Sequence, residues 1–213
     1  MINLIRTFIA LVFLFIGSAG LYGQAPDSTI LTQRAPDKFQ AVFETTKGRF
    51  IIEAYRNWSP QGVDRLYQLI STGYFTNCLL FRVEPAFVVQ FGIGEDAAQN
   101  EFWRPRTLDD EPVLQSNIRG TIAYARDVKK SRSTQLFINM VDNPQLDTTL
   151  RYELRGFTPI ARVVQGMTII SSFYSAYKKE PVFLQDSLYK YGNWYYEKKF
   201  PGLDRILSAR ILP

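Results

Sequence analysis

The sequence predicts a mainly β, single-domain fold whose open ends are plugged by amphipathic helices. Three observations carry that reading. Residues 39–45 and 49–56 alternate apolar and polar side chains with a period of two on either side of a turn at Gly48, the pattern of a hairpin with one buried face. Residues 60–73 change period: Val63, Leu66, Leu69 and Ile70 recur at helical spacing behind Ser59-Pro60. Residues 80–92, LFRVEPAFVVQFG, return to strand-like apolar sequence, yet hold Arg82 and Gln90 among residues that look buried.

The composition narrows the chemistry. With 213 residues, 46% hydrophobic and 15% aromatic, the chain has enough apolar material for one packed core and does not read as disordered. Its net charge of +5, from 25 basic and 20 acidic residues, is spread along the sequence. The nearest thing to a basic run, Lys129-Lys130-Ser131-Arg132, reads as a short solvated loop, so nucleic acid is not an expected partner. The chain has no histidine, which excludes a Ser-His-Asp triad, a Cys-His pair and a His-ligated zinc site within it. A single cysteine, Cys78, excludes an internal disulfide and a Cys-based metal cluster; its apolar neighbours make it a buried small hydrophobe.

Residues 1–23 read as a secretory signal peptide: Arg6 supplies the positive start, residues 8–16 an apolar run too short to span a bilayer, and residues 18–23 small side chains for cleavage. Export to a periplasm-like compartment follows, with secretion or an uncleaved anchor as the alternatives and no stable membrane insertion after cleavage. Residues 24–38, polar and carrying Pro26 and Pro36, read as a flexible linker. The folded domain is expected over residues 39–213.

After the hairpin, Ser59 is the expected cap of the first helix, Pro60 suits its first turn, and Gly73 ends it. The helix's apolar stripe would plug one end of a barrel. Residues 100–107 read as a loop. The acidic run Leu108-Asp109-Asp110-Glu111 reads as a structural turn, because adjacent carboxylates on a loop cannot oppose each other across a bond. Gly92-Ile93-Gly94 is a weak phosphate-loop pattern. Residues 120–125 and 133–138 read as strands, residues 148–155 as an insertion, and Met167, Ile170, Phe173, Tyr174 and Tyr177 as a second amphipathic helix. The C-terminal extension, about residues 178–213, is expected to hold a connector at 181–187, a helix over 188–200 stopped by Pro201-Gly202, and a final strand over 203–212. Its aromatics, Tyr189, Tyr191, Trp194, Tyr195 and Tyr196, read as packing or as a partner surface.

On the residues alone, Arg82 and Gln90 have two readings. They face a pocket, or Arg82 snorkels from a sheet edge while Gln90 satisfies a neighbouring backbone group. Motifs taken together favour the first. Residues 81–92 resemble the cyclophilin signature Phe-His-Arg, four residues, Phe-Met-x-Gln-Gly-Gly, with Phe81 for the His, Val88 for the Met and Phe91 for the first Gly. Residues 120–125 (GTIAYA), 133–138 (STQLFI) and 156–167 (GFTPIARVVQGM) resemble further segments of that family in the same order. The resemblance covers roughly residues 39–177.

It implies an eight-stranded antiparallel cyclophilin-like barrel capped by two helices, here with the C-terminal helix and strand added. It also implies a peptidyl-prolyl cis-trans isomerase that needs no metal or cofactor. Arg82 and Gln90 would be catalytic. Phe87, Val88, Phe137, Leu146 and Phe157 would hold the proline ring, and Ala125 and Gln135 the neighbouring peptide. Departures from the family pattern, Val88, Gln145, Tyr124 and Phe157, would shrink the pocket and change its rim, and cyclosporin-type ligands would bind weakly. The implied partners are proline-containing peptides and folding envelope proteins, met by a monomer. The alternative is a barrel of the same fold that binds such chains as a chaperone with little turnover.

Overall fold

The computed structural model describes residues 25–151 and 154–213. The expected signal peptide, residues 1–23, lies outside them. The hairpin forms as β1 (Lys38–Thr45) and β2 (Gly48–Tyr55), paired without a break from Lys38 opposite Tyr55 to Thr45 opposite Gly48. Gly48 turns the chain at φ +123°, a region that only glycine enters freely. Alternation then buries Phe39, Ala41 and Phe43 with Phe50, Ile52 and Ala54 in one core.

Next comes α1 (Pro60–Ser71), whose Val63, Leu66, Leu69 and Ile70 are buried in the same core. It ends as expected. Gly73 takes φ +68°, its N–H donates to the Ile70 carbonyl and that of Tyr74 to the Leu69 carbonyl, both at 3.0 Å. Its start corrects an expectation. Ser59 does not cap the helix: its hydroxyl donates to the Glu111 carboxylate. That carboxylate accepts from the Gln61 and Gly62 N–H groups at 2.9 and 3.2 Å, and pairs with the buried Arg132 at 3.0 Å. A full negative charge answers the helix's positive end better than a hydroxyl does. The acidic run is thus structural at Glu111, while Asp109 and Asp110 bind the Lys130 ammonium and backbone N–H.

The remaining strands are β3 (Cys78–Leu79), β4 (Arg82–Val83), β5 (Val88–Phe91), β6 (Thr121–Tyr124), β7 (Leu136–Asn139), β8 (Leu150–Arg151), β9 (Leu154–Arg155), β10 (Pro159–Gln165) and β11 (Arg205–Ile211). Apart from the small β8–β9 hairpin they form one antiparallel sheet of nine strands, ordered β3-β11-β1-β2-β10-β6-β7-β5-β4. The two edge strands, β3 and β4, are consecutive in the chain and only Leu80 and Phe81 separate them. The edges therefore lie side by side and the sheet curls into a barrel. The expected count of eight becomes nine because one strand is interrupted. Leu80 still donates its N–H to Asp204 ahead of β11, whereas Arg82 and Val83 pair with β5.

The helices differ more from expectation. Residues 100–107, read as a loop, contain the end of α2 (Ala97–Trp103), capped by the Asp96 carboxylate on the Gln99 N–H at 2.8 Å. The second amphipathic helix is only α3 (Met167–Ser171). The Ser171 and Ser172 hydroxyls donate to the carbonyls of Met167 and Ile169, and the Tyr174 N–H is taken by the Asp204 carboxylate at 2.7 Å. These bonds end the helix before Phe173 and Tyr177. In the extension, the expected single helix is two: α4 (Gln185–Tyr191) and α5 (Asn193–Lys199), parted by Gly192 at φ +70°. A 3-10 turn, Glu180–Leu184, leads into α4.

These helices make a second small core, in which Leu188, Tyr196, Phe200 and Leu203 cover Leu79, Phe81 and Ile93 at the barrel seam. Tyr196 is thus buried while Trp194 is 62% exposed, so the aromatics of the extension do not form one surface. Ahead of the barrel, residues 28–32 form a 3-10 turn along α1, where Gln68 donates to the Gln33 carbonyl at 2.8 Å and Asp64 accepts from the Ala35 N–H at 2.9 Å.

Candidate active site

Alternation along four neighbouring strands builds the site on the outer face of the barrel. In register, Arg82 of β4 stands opposite Gln90 of β5, Gln90 opposite Phe137 of β7, and Phe137 opposite Ala123 of β6. Side chains opposed in this way stand about 4.5–5.5 Å apart at Cβ. The residues between them, Val83, Val89, Ile138 and Ile122, turn inward to the barrel core. One transverse row therefore sets a cation, an amide, an aromatic ring and a methyl group side by side.

Above the row lies a cleft of about 360 Å³. The residues expected to form the site, Arg82, Phe87, Val88, Gln90, Ala125, Gln135, Phe137, Leu146 and Phe157, all line it. Its apolar floor is a cluster separate from the barrel core, with Val88, Ala123, Phe137 and Leu146 buried and Phe87, Ala125 and Phe157 packed against them. The Phe137 and Phe157 rings meet edge to face at 5.6 Å. Phe157 is placed by its N–H on the Leu146 carbonyl at 2.8 Å, and Phe87 by its carbonyl, which accepts from the Met140 N–H and the Asn143 amide. The Ala125 N–H is already bonded to the Gln135 carbonyl, so a peptide pairing with Ala125 would meet its carbonyl.

Arg82 is held on three sides. Its Nε donates to Glu84 at 2.6 Å, its Nη1 donates to the Gln90 side-chain amide oxygen at 3.2 Å, and its guanidinium carbon lies 5.2 Å from the centre of the Phe87 ring. The side chain is 22% exposed, so it neither snorkels to bulk solvent nor is sealed off. Gln90 in turn donates to the Gln135 amide oxygen at 2.9 Å.

Other residues at the site were not anticipated: Glu84, which holds Arg82 from outside the cleft lining, and Arg126, Val182 and Gln185, which line the cleft. Glu84 follows Arg82 by two, the same face of an extended chain, so the alternation did signal it. Arg126 lies over the Phe157 ring at 5.1 Å, donates to the Gly156 carbonyl and faces Asp110 at 3.5 Å; burial lowers its pKa from the ordinary arginine value. Val182 and Gln185 come from the C-terminal extension and have no local signal.

One expectation is corrected here, and two further residues are placed. Tyr124 does not rim the cleft: it points into the barrel, where its hydroxyl donates to the Gly62 carbonyl at 3.0 Å and burial raises its pKa. Gln145 is exposed, with its amide on the Asn143 side chain, and forms no part of the cleft wall. Gly92 serves packing, since a Cβ there would lie 2.3 Å from the Thr134 carbonyl oxygen where β5 crosses the approach to β7. Among the described residues, no group of three or more His, Cys, Asp and Glu side chains is placed to hold a metal ion.

A model of the family "cyclophilin type peptidyl-prolyl cis-trans isomerase/CLD" matches residues 41–189, from within β1 through β10 and the row to the middle of α4. The chain belongs to the cyclophilin family of peptidyl-prolyl cis-trans isomerases. Relatives agree. Peptidyl-prolyl cis-trans isomerase B of Escherichia coli is 28% identical over 61% of this chain and 80% of its own length. Peptidyl-prolyl cis-trans isomerase A of Dickeya dadantii is 30% identical over 60% of this chain and 67% of its own. In structure, a Cryptosporidium parvum cyclophilin type isomerase shares the fold at TM-score 0.61 and 16% identity, over 83% of this chain and 98% of that one. A second structure with that isomerase, in the presence of the dipeptide Ala-Pro, gives TM-score 0.60 at 16% identity over 82% of this chain and 99% of that one. This cyclophilin is thus an enzyme that interconverts the cis and trans forms of peptidyl-prolyl bonds.

Proposed function

We propose that this cyclophilin acts on X-Pro bonds of exported proteins, as a monomer, with Arg82 stabilising the twisted amide above the apolar floor. The chemical problem is a partial double bond whose rotation faces a barrier of about 18–20 kcal/mol. No covalent bond need break. The enzyme must hold the ring, let the carbonyl side turn and weaken the resonance. Phe137, Leu146, Phe157 and Val88 take the pyrrolidine ring, while Ala125 and Gln135 hold the residue before it. As the amide twists, the prolyl nitrogen pyramidalises, its lone pair leaves conjugation with the carbonyl and localises on nitrogen, and an N–H of Arg82 donates to it. That bond exists only near the transition state, so it raises the rate and not merely the affinity. The observation that carries this reading is the hold on Arg82: Glu84 and Gln90 engage Nε and Nη1 and leave the Nη2 edge of the fork to meet the substrate.

The test compares wild type and Arg82→Ala by isomerisation of X-Pro peptides, with peptide affinity measured separately. A loss of turnover at retained affinity supports the scheme. Equal turnover in the two proteins refutes it, and turnover near background in both would favour the peptide-holding chaperone. Export is supported by the positively started apolar run of residues 1–23 and by the small residues that follow it. N-terminal sequencing of the protein recovered from fractionated cells tests it: an intact Met1 in the cytoplasmic fraction would overturn it.

A further inference from the structure

The bonds around Arg82 do not stop at Gln90. A guanidinium has only donors, so Gln90 must turn its oxygen to Arg82 and its NH2 away. The NH2 donates to the Gln135 oxygen at 2.9 Å, and this turns the Gln135 NH2 outward. There it meets two acceptors on one helix, the Gln185 amide oxygen at 3.1 Å and the Tyr189 hydroxyl oxygen at 3.2 Å. Polarity is therefore set from the Arg82 end by a donor-only cation and relayed to α4, where the Gln185 amide and the Tyr189 hydroxyl, each able to donate or accept, take the accepting role.

The helix that supplies those acceptors is anchored by the buried Leu188, with exposed contacts added at its surface. Arg104, just past the end of α2, pairs with Asp186 at 2.9 Å and lies 4.1 Å from the centre of the Tyr189 ring. Leu188 is buried in the seam core with Phe81, which directly precedes Arg82. The site row and α4 thus rest on one packed unit.

We infer that Gln185 and Tyr189 are positioning residues for the isomerase reaction, orienting the Gln135 and Gln90 amides so that Arg82 is presented to the prolyl nitrogen. The C-terminal extension is then part of the catalytic apparatus of this chain, acting through hydrogen-bond direction and not through contact with the proline. This inference rests on the role proposed for Arg82.

The direction of the chain makes a sharp test. At position 185 an acceptor should be tolerated and a donor should not. Gln185→Glu keeps the acceptor and should hold kcat within about twofold of wild type, whereas Gln185→Lys opposes one donor with another and should lower kcat about tenfold with KM nearly unchanged. Tyr189→Phe keeps the ring under Arg104 and removes the second acceptor. Joined to Gln185→Met it should lower kcat at least as far, with the melting temperature shifted by no more than a few degrees. Measuring Arg82→Ala alongside separates the two ideas. If Arg82→Ala loses turnover but Gln185→Lys and the Gln185→Met/Tyr189→Phe pair match wild type, α4 has no positioning role. A rise in KM at constant kcat would place α4 in peptide binding and also overturn the inference. If Arg82→Ala itself turns over like wild type, the reading beneath the inference fails first.

Discussion

Replacing Arg82 by lysine separates charge from geometry. The positive charge stays, and an ammonium can still reach Glu84, which holds Nε at 2.6 Å. The fork is lost. Arg82 engages Glu84 and the Gln90 oxygen, the latter at 3.2 Å, through different nitrogens, and the scheme needs a further N–H for the prolyl nitrogen. A compact ammonium drawn to Glu84 cannot serve all three. One hydrogen bond to a charged donor contributes about 1.5–3 kcal/mol, and about 1.4 kcal/mol is a factor of ten in rate. The side chain is 22% exposed, so water screens part of this and the lower half of the range applies best. We expect kcat/KM in a proline-peptide isomerisation assay to fall by about 10- to 50-fold in Arg82→Lys, while affinity for a proline peptide changes by less than about threefold. A kcat/KM within about twofold of wild type would show that charge alone suffices, and the fork argument would be wrong.

Three further outcomes follow from the fold. Glu111→Ala strips the cap from α1 and leaves the buried Arg132 without its carboxylate, so chemical denaturation should show a loss of about 3–5 kcal/mol. Tyr124→Phe removes one buried hydrogen bond to Gly62 and should cost about 1 kcal/mol of stability without changing kcat/KM; a change in proline-peptide kinetics would put Tyr124 back on the cleft rim. Glu53 is held down to about 2, first by the Tyr55 hydroxyl, then by the Gln40 amide and by Lys38. A folded-state pKa below the unfolded one means stability that is present above the ordinary glutamate range and lost as pH falls toward 2. Denaturation midpoints of wild type should therefore drop across that window more steeply than those of Glu53→Gln, and parallel curves would exclude Glu53 as a source.

The hairpin, α1 and β11 were legible because each has one buried face, and a period of two or 3.6 then shows in the sequence. The site was legible in part. Arg82 and Gln90 stood out as polar residues in a strand that looked buried, and the family motifs marked the cleft residues. What brings them together is strand register, which joins residues 82, 90, 137 and 123, and no local pattern reports it. Tyr124 was misplaced because β6 is covered on both faces, so an apolar strand gives no clue to which side is inward. The role of Glu111 was hidden for a similar reason. A carboxylate in a loop looks like any surface charge until a helix start 50 residues earlier is set beside it. The helix α2 went unread because AAQNEFW mixes apolar and polar residues with no helical stripe, although Asp96 caps it.

The position of β11 between β3 and β1 has a consequence for how this molecule comes into being. Those two neighbours are complete early in synthesis, yet nothing joins them until residues 205–211 have been made. Before then the chain is a ribbon with two raw edges, and the platform for Arg82 lacks its seam. An enzyme that interconverts peptidyl-prolyl bonds is in this way left open until β11 has been made.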